Sequence, residues 1–494
     1  MKFSDEVLDA IEKEANKLSL RYHAYHNGVE LEHQRRRKIL KTTPPKALKA
    51  PDYWKIDSKF NPFYVHKHRA AIARSISNKI MEHKYAPHEP AKREIPKPQG
   101  GTRSISVYQI PDAAISALFF QKLLRKNRHR FSSSSYAYRD DRNAHFAIQD
   151  ISIDLANSSR VFIAEFDFSK FFDSISHDYL FAQLHQNGFS VSSREKHVIE
   201  AFLSSQAKGV PQGTSISLFL ANLVCWKLDK NLELAGLKFA RYADDTVIWS
   251  PDYSRIAQSV DIIANFSRET EVKINIEKSK GIRLLCAKEM PAEFAERTDH
   301  IEFLGYSLSA NKIGIKERST LKIKRQINYI LYQHLIQPLR GPKLQAVTIP
   351  SAGRDRDLMA ALGSVRRYLY GNLNDEYIRR YLSGSSGRIF YKGVMSFYPL
   401  LSDKLQMQEL DGWLVNQVWK GLRMRERLLK KWGYNRSYMF PFNVSRKEFA
   451  AALRAEKVGK RRLYAIPSFV VIYLALRKAV SEEGVVKLLS RDEY

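Results

Sequence analysis

The chain contains 494 residues, and its 81 Lys and Arg residues against 52 Asp and Glu residues give a net charge of +29. This length predicts two to four domains or subdomains, and the charge favours a polyanionic partner, either nucleic acid or an anionic membrane surface. Two cysteines exclude a disulfide framework, and the longest apolar run near the end, Phe469–Leu476, is too short to span a bilayer.

The chain opens with Lys2, Asp5 and Glu6 and carries no apolar signal sequence. We therefore expect a cytoplasmic, nucleic-acid-handling protein with no membrane partner. An apolar stripe after a capping Ser4 predicts a helix over residues 4–40. This helix carries Tyr22, His23, Tyr25 and His26. Because no Cys or carboxylate stands at ligand spacing, an ordinary helix surface is favoured over a metal or stacking site.

Residues 93–105 contain Pro and Gly-Gly and predict a hairpin, with Lys97 on one arm and Arg103 on the other. Two cations across such a hairpin could clamp a triphosphate, Arg through a bidentate fork and Lys as a point charge. An exposed basic hairpin is the equal alternative. The next predicted elements are an amphipathic helix over residues 113–124 and a polar, aromatic loop over residues 134–145.

The next apolar stretch, residues 161–168, predicts a strand that ends at the carboxylate Asp167. A glycine-rich loop over residues 208–217 then lets backbone approach a ligand closely. Leu218–Asn231 is apolar on most sides, which predicts a single buried helix.

Residues 239–248 predict two short strands joined by a tight turn that carries Asp244 and Asp245. Aspartates are common in turns. Without a third acid nearby, Asp244 and Asp245 would therefore be interpreted as turn residues with no further role. Asp167 supplies a third acid in a matching setting at a strand end. Three such acids can hold two Mg²⁺ ions roughly 3.5–4 Å apart, one activating a 3′-hydroxyl and the other stabilising pyrophosphate.

Further along, residues 256–270 predict a helix, and residues 273–280 and 301–308 predict two more strands. From Ser319 onward the chain is mostly helical and basic, and its helix over residues 410–429 ends in a cluster of cations. These cations are Arg423, Arg425, Arg427, Lys430 and Lys431. Two short helices are expected after residue 433. The order of elements indicates an α+β fold with helices on one face of a sheet.

Several separate stretches resemble bacterial reverse transcriptases, over residues 90–320 and more loosely to about residue 433. The matching stretches are Ser135–Arg139 with Arg142–His145, Phe166–Asp173, Val210–Gly213, Tyr242–Asp245, Glu277–Ser279 and Phe303–Tyr306. The resemblance implies a right-hand polymerase with an antiparallel palm sheet and a helical thumb. Its expected parts are a basic helical extension (1–90), fingers (91–160), palm (161–318), helical thumb or maturase-like region (319–433) and helical C-terminal extension (434–494).

The resemblance also implies residue roles. The implied metal-binding residues are Asp167, Phe168, Asp244 and Asp245. The implied catalytic residues are the three aspartates. Nucleotide binding falls to Lys97, Arg103, Phe172, Gln212 and Lys278, where the Phe172 ring would collide with a ribose 2′-hydroxyl. The primer grip is Phe303, Leu304, Gly305 and Tyr306.

The implied activity is RNA-directed DNA synthesis with Mg²⁺, using dNTPs and an RNA template that we expect to be a dedicated structured non-coding RNA. The chain is similar to group II intron, retron-type and defence-associated enzymes, and we expect a role in antiphage defence. Asp173 could instead mark an RNA-templated RNA polymerase, but Phe172 beside it favours deoxynucleotides. The alternative from another class is a maturase-like splicing cofactor.

One further hypothesis concerns the end of the chain, where Tyr494 carries a phenol that could prime DNA synthesis. An incidental terminal residue is the favoured interpretation. Assembly into oligomers is left open by the sequence.

Overall fold

The computed structural model of the chain describes residues 2–39, 45–96, 100–287, 289–291, 294–344, 347–455, 457–458, 461–462 and 464–485. The chain divides into two compact units. The first comprises Met1–Glu32, Pro45–Ile151 and Ser158–Asp299, and the second comprises His33–Pro44, Ser152–Asn157 and His300–Tyr494. Among the described residues, no helix combines the length and the apolar character needed to cross a membrane.

Up to residue 299 the helices are α1 (Phe3–Ile39), α2 (Pro62–Met81), α3 (Ile110–Asn127), α4 (Ala144–Ala156), α5 (Phe171–Ser174), α6 (His177–Gln186), α7 (Ser193–Leu203), α8 (Ile216–Val224), α9 (Trp226–Leu234) and α10 (Tyr253–Thr270). The strands are β1 (Ala91–Pro96), β2 (Thr102–Val107), β3 (Arg160–Phe166), β4 (Lys238–Tyr242), β5 (Asp245–Ser250), β6 (Gly281–Cys286) and β7 (Arg297–Thr298). Short 3₁₀ helices cover Asp52–Lys55, Ser58–Phe60 and Arg128–Arg130.

From residue 300 the strands are β8 (Ile301–Phe303), β9 (Tyr306–Leu308), β10 (Ile313–Ile315), β11 (Lys457–Val458) and β12 (Arg461–Arg462). The helices are α11 (Glu317–Leu335), α12 (Gln337–Arg340), α13 (Arg356–Tyr370), α14 (Asp375–Leu382), α15 (Lys404–Lys431), α16 (Arg446–Ala455) and α17 (Phe469–Glu483), with a 3₁₀ helix at Val394–Phe397. The predictions of a mixed α+β fold and of a helical C-terminal region are both confirmed.

A five-stranded sheet in the order β4-β5-β3-β6-β7 forms the centre of the first unit. Its pairs are antiparallel except β6 with β7. Phe162, Ala164 and Phe166 alternate along β3 and belong to one apolar core with helices of this unit. Because α10 packs against β3 and β5, this face of the sheet is covered and its strand positions are fixed.

The hairpin predicted over residues 93–105 is present, since β1 pairs with β2 from Ala91↔Val107 to Pro96↔Thr102. The strand predicted over residues 273–280 is wrong. This segment forms one isolated bridge, between Ile274 and Phe168, and then turns. Ile276, which suggested strand alternation, is 84% exposed.

Two other predicted elements are interrupted. The single helix expected over Leu218–Asn231 is two helices, α8 and α9, which meet at Cys225. The strand expected over residues 301–308 is a hairpin, because Leu304 and Gly305 both adopt positive φ, 49° and 86°, and reverse the chain between β8 and β9.

The second unit contains the three-stranded sheet β10-β9-β8 and a helical assembly in which α11 packs on α13 and α15, and α15 packs on α17. One apolar face of α11 is buried. Its members are Ile323, Ile327, Ile330, Leu331 and Leu335. The finer division of the chain into fingers, palm, thumb and extensions stays a prediction.

Candidate active site

Asp167 directly follows the last residue of β3, at the edge of the sheet where β5 begins. The β3–β5 register pairs Phe166 with Thr246. One step further along that register, Asp167 stands opposite Asp245, the first residue of β5. Antiparallel pairing therefore brings an acid from one end of a strand to the acidic turn that is about eighty residues away in the sequence.

The turn itself consists of Ala243 and Asp244, since Tyr242 and Asp245 are paired across the β4–β5 hairpin. Ala243 adopts a positive φ of 59°, a conformation that disfavours most side chains but that two-residue hairpin turns require. The turn therefore sets Asp244 at the tip of the hairpin, half-buried, and Asp245 beside it, exposed.

The carboxylate of Asp167 is held by the segment after α10. Lys278 Nζ lies 2.8 Å from Asp167 Oδ2, and Asn275 Nδ2 donates to the same oxygen at 2.9 Å. The Asn275 backbone N–H also donates to the Asp167 carbonyl at 2.8 Å. Sequence reasoning placed Lys278 near the nucleotide and assigned nothing to Asn275, whose polar side chain in a presumed strand gave no indication of its contact.

Asp244 lies within electrostatic range of Asp167 and of two cations. Burial raises the pKa of Asp244 above its ordinary value, and the charge of Asp167 raises this pKa further. The positive charges of Arg103 and Lys278 lower the pKa of Asp244. The structure thus brings together Asp167, Asp244, Arg103 and Lys278, four of the residues singled out in the sequence.

Tyr138 also faces this group of charges. Burial raises the pKa of Tyr138 to about 12, and the neighbouring Asp244 contributes to that shift. Tyr138 is therefore a neutral phenol at physiological pH, able to donate a hydrogen bond. The sequence placed it in a finger motif without a contact to the acids, because 106 residues separate it from Asp244 along the chain.

A buried ion pair holds the backbone of the acidic turn in place. Arg241 is fully buried, and its Nε and Nη2 donate to the two carboxylate oxygens of Asp229, each at 2.6 Å. Arg241 Nη1 donates to the Ala243 carbonyl at 2.9 Å, inside the turn, and Nη2 donates to Ser135 Oγ at 2.7 Å. Arg241 is thus a positioning residue for Asp244, and sequence analysis missed it.

The glycine-rich loop connects two other walls of the site. Val210 N–H donates to the Phe172 carbonyl at 2.7 Å, and Ser106 N–H donates to the Gln212 carbonyl at 2.8 Å. Gly213 has a φ of 119°, and a Cβ there would collide with the Ser106 carbonyl. The loop is thereby fixed between α5, which carries Phe172, and β2, which carries Arg103.

Gln212 Nε2 also donates to Asp173 Oδ1 at 3.1 Å. Phe172 is half-buried and contacts Phe171 edge-on, with ring centroids 5.6 Å apart. Phe168 is buried in the apolar core, so only its backbone could reach a metal ion.

The remaining sequence-predicted residues lie elsewhere. Lys97 and Tyr494 fall outside the described residues. Phe303, Leu304, Gly305 and Tyr306 form the β8–β9 hairpin of the second unit, where Tyr306 Oη donates to the Phe397 carbonyl at 3.1 Å.

The carboxylates fit a divalent cation in part. Among the described residues, no group of three or more His, Cys, Asp or Glu side chains is arranged as a metal site. Two observations nevertheless fit a hard cation: the donors are carboxylate oxygens, and the like charges of Asp167 and Asp244 oppose each other. The ammonium of Lys278 now supplies positive charge to Asp167.

Two cations at the basic end of α15 are engaged within the second unit. Arg425 is fully buried and forms ion pairs with Asp355 at 2.7 Å and Asp357 at 2.8 Å. Arg423 lies over the Trp419 ring at 3.9 Å and donates to the Phe442 carbonyl at 2.9 Å. Arg425 therefore stabilises the second unit and cannot contact RNA phosphates.

One protein family is similar to the part of the chain that contains the three aspartates. A model described as reverse transcriptase (RNA-dependent DNA polymerase) matches residues 95–308, which include all three aspartates. Residues 95–308 are therefore similar to this family, and the match covers less than half of the chain. This match agrees with the right-hand polymerase fold that the sequence predicts.

Three curated proteins are similar to parts of the chain. Protein YkfC of Escherichia coli K12 is 21% identical over 168 residues, 32% of this chain and 44% of that protein. The retron Ec86 reverse transcriptase of Escherichia coli is 25% identical over 176 residues, 34% of this chain and 49% of that protein. The putative COX1/OXI3 intron 1 protein of Saccharomyces cerevisiae is 27% identical over 199 residues, 38% of this chain and 23% of that protein. The chain thus spans less than half the length of each.

Among solved structures, telomerase from Candida tropicalis with a fragment of telomeric RNA superposes with a TM-score of 0.38 and 13% identity, covering 89% of this chain and 71% of that one. Telomerase from Candida albicans with a telomeric RNA fragment gives a TM-score of 0.34 and 11% identity, covering 84% and 77%.

Proposed function

We propose that the chain is an RNA-directed DNA polymerase that copies an RNA template into DNA from dNTPs. The observation that carries the proposal is the meeting of Asp167 with Asp244 at the edge of the sheet, inside a domain that matches the reverse transcriptase model. Acids brought together from distant parts of a chain, with charges that oppose each other, are typical of a functional site.

The residues around the acids have distinct roles in this proposal. Arg103 and Lys278 offset the negative charge of the acids and of an incoming triphosphate. Gln212 and Phe172 form the walls of the nucleotide pocket, where the Phe172 ring excludes a ribose 2′-hydroxyl. Arg241 keeps the turn rigid, so that Asp244 points at the reacting groups without reorganisation.

Two Mg²⁺ ions are the proposed cofactor, held by Asp167, Asp244 and Asp245 with the Phe168 backbone nearby. When bound, such ions acidify an attacking 3′-hydroxyl and stabilise the departing pyrophosphate. Lys278, whose ammonium lies 2.8 Å from Asp167 Oδ2, would also lie close enough to this site to bind the nucleotide phosphates.

The test is primer extension by the purified full chain, with an RNA template, a DNA primer, dNTPs and Mg²⁺. Asp244→Asn should abolish extension while leaving the circular dichroism spectrum and melting temperature intact. Extension that persists in this variant would remove the proposed mechanism. A DNA template of the same sequence serves as the comparison for template preference.

The finer parts of the proposal are a dedicated structured non-coding RNA as template, a role in antiphage defence and a cytoplasmic location. The first two rest on the resemblance to retron-type and defence-associated enzymes, and the third is supported by two buried, unbridged cysteines, Cys225 and Cys286. Sequencing RNA that copurifies with the chain tests the first part. Phage plaque counts with wild type and Asp244→Asn test the second.

A splicing cofactor is the second candidate, favoured by the similarity to a yeast intron-encoded protein. The basic end of α15 supports it less than its sequence suggests, because Arg425 is buried. If this candidate is right, copurifying RNA is an intron and its splicing in cells survives Asp244→Asn. A short RNA recovered together with its cDNA contradicts it.

A further inference from the structure

An exposed group of aromatic side chains lies in the first unit, on elements that the polymerase proposal does not use. It consists of Tyr22 and Tyr25 on α1, Trp54 on a 3₁₀ helix, and Phe63 on the first turn of α2. We call these four residues the aromatic surface. The sequence favoured an ordinary helix surface at Tyr22 and Tyr25, because it could not show that rings from two other elements join them.

The rings contact one another without stacking in parallel. Tyr22 lies 5.1 Å from Trp54, 5.9 Å from Phe63 and 6.2 Å from Tyr25, measured between ring centroids. The interplanar angles of these pairs are 49°, 76° and 40°. Phe63 also makes edge-on contacts with His23 and Trp54, at 5.7 Å and 6.2 Å, so these rings use part of their surface on one another and keep the rest open to solvent.

Two of these rings are strongly exposed, Tyr25 and Phe63 at 42% each. Phe63 has no polar group that would benefit from water, and leaving apolar area exposed forgoes roughly 25 cal/mol per Å². Tyr64, 40% exposed, extends the same turn of α2. Clustered exposed aromatic rings indicate a surface that a partner covers.

The charge around the aromatic surface indicates the kind of partner. Arg21, Lys49, Lys55 and Lys67 are exposed, and none has an ion-pair partner within the part of the chain that the structure describes. Arg21 and Lys55 adjoin Tyr22 and Trp54 in sequence, and Lys67 is one helical turn beyond Phe63. The backbone N–H of Lys49 donates to Tyr25 Oη at 3.3 Å. The nearby acid Asp52 only partly offsets these four cations.

We propose that the aromatic surface binds single-stranded RNA, with bases stacked on Tyr25 and Phe63 and phosphates held by the surrounding cations. Exposed ring faces beside cations are the combination that unpaired strands use, because every base has a face and every nucleotide has a charge. In a duplex the base faces are already stacked on one another, so none is available to stack on these rings.

The choice of RNA over DNA rests on the proposed function. During reverse transcription the new DNA is paired with its template, whereas the RNA not yet copied is unpaired. Stacking itself is indifferent to the sugar, so the surface could also hold single-stranded DNA of the same length, which the experiment includes as a separate arm.

The test is fluorescence anisotropy of a labelled, unstructured oligoribonucleotide of about 12 nucleotides with the full chain, without dNTPs. Tyr25→Leu with Phe63→Leu keeps apolar side chains but removes both rings. We expect binding weakened at least about fivefold per ring, with an unchanged salt dependence because the phosphate contacts remain. Leu31→Ala, at another exposed apolar position on α1, is the control and should bind as wild type does.

A second readout locates the contact directly. Photocrosslinking of a 4-thiouridine oligonucleotide, followed by mass spectrometry, should label peptides containing Tyr22, Tyr25, Trp54 or Phe63. Unchanged affinity of the double variant, or crosslinks found only elsewhere, would overturn the proposal. So would tighter binding of the single-stranded DNA arm than of the RNA arm.

Two other occupants would show themselves in the same variants. Binding to anionic phosphatidylserine vesicles that survives both Leu substitutions would indicate a membrane surface, and loss of an oligomer in these variants would indicate self-association. Either result contradicts the proposal. Failure of the polymerase proposal is distinguishable, because it appears in primer extension with Asp244→Asn and leaves oligonucleotide binding unchanged.

Discussion

The ammonium of Lys278 lies 2.8 Å from Asp167 Oδ2, so a lysine neutralises the acid that is proposed to bind a metal ion. Lys278 is about half exposed, and the segment that carries it also binds Asp167 through Asn275. This arrangement offsets the repulsion between Asp167 and Asp244 in the absence of a cation.

Replacing Lys278 by Met should therefore destabilise the metal-free protein. We expect a loss of about 0.5–1 kcal/mol in EDTA, modest because the ion pair is partly exposed. Mg²⁺ should remove most of this difference, since a cation neutralises the same carboxylate. Thermal melts with and without Mg²⁺ measure both effects. Lys227→Met breaks an ion pair of similar length, 2.7 Å to Glu269, and its effect should not respond to Mg²⁺.

Arg241 should affect activity separately from stability. Arg241→Met leaves Asp229 buried without its partner, at a cost of about 3–5 kcal/mol in the free energy of unfolding. Adding Asp229→Leu should recover most of that stability, because no buried charge remains. The Ala243 carbonyl still lacks its donor, so single-turnover incorporation should stay reduced by about tenfold, the effect of a misplaced acid. A double variant with wild-type rates would show that the turn does not need Arg241.

Phe172 should decide the choice between deoxynucleotides and ribonucleotides. Phe172→Ala removes the ring that would meet a 2′-hydroxyl, and incorporation of ribonucleotides relative to deoxynucleotides should rise by about tenfold or more. Phe172→Tyr keeps the ring and should keep the discrimination. Competition between a dNTP and its rNTP in single-nucleotide extension gives the ratio. Equal discrimination by the Ala variant would refute the sugar-gate assignment.

The stability that the loop carrying Tyr138 contributes should depend on pH, because this loop contains Asp141. Arg139 hydrogen-bonds Asp141 at 2.7 Å and lowers the pKa of its carboxyl. A lowered folded-state pKa contributes stability above the unfolded value of about 3.9 and loses it as the pH falls through the folded value. Asp141→Asn should therefore cost up to about 1 kcal/mol at pH 7 and less at about pH 3, below the unfolded pKa.

Denaturation curves at both pH values measure that difference. Asp140→Asn, at the exposed neighbouring carboxylate, is the control and should change stability little at either pH. A cost of Asp141→Asn that is equal at the two pH values would contradict the assignment of the ion pair.

The acids could be found from the sequence because each follows a local rule. Asp167 ends an apolar strand, and Asp244 and Asp245 lie between a stretch with aromatic residues, 239–243, and a β-branched stretch, 246–248. Their meeting therefore required only that the strands pair. The β1–β2 hairpin was equally local, with Gly-Gly at its turn. The same rules failed at Leu304 and Gly305, where positive φ at two successive residues divides an apparent strand.

The supporting residues could not be found in this way. Arg241 is the residue before the Tyr of the acidic turn, and its partner Asp229 looked like an ordinary helical acid 12 positions away. Asn275 appeared to alternate within a strand. Both act through contacts that only the folded chain defines, which is also why Arg425 looked like a surface cation and is buried.

The most direct test of the account is whether Asp167 and Asp244 act as one unit in catalysis. Single-turnover incorporation of one dNTP should be measured for Asp167→Asn, Asp244→Asn and the double variant, with Asp178→Asn on the exposed surface of α6 as control. We predict that each single variant loses about a thousandfold or more, that the double variant is no slower than either, and that the control is unchanged. Rates near wild type in either single variant, or losses that multiply in the double variant, would contradict it.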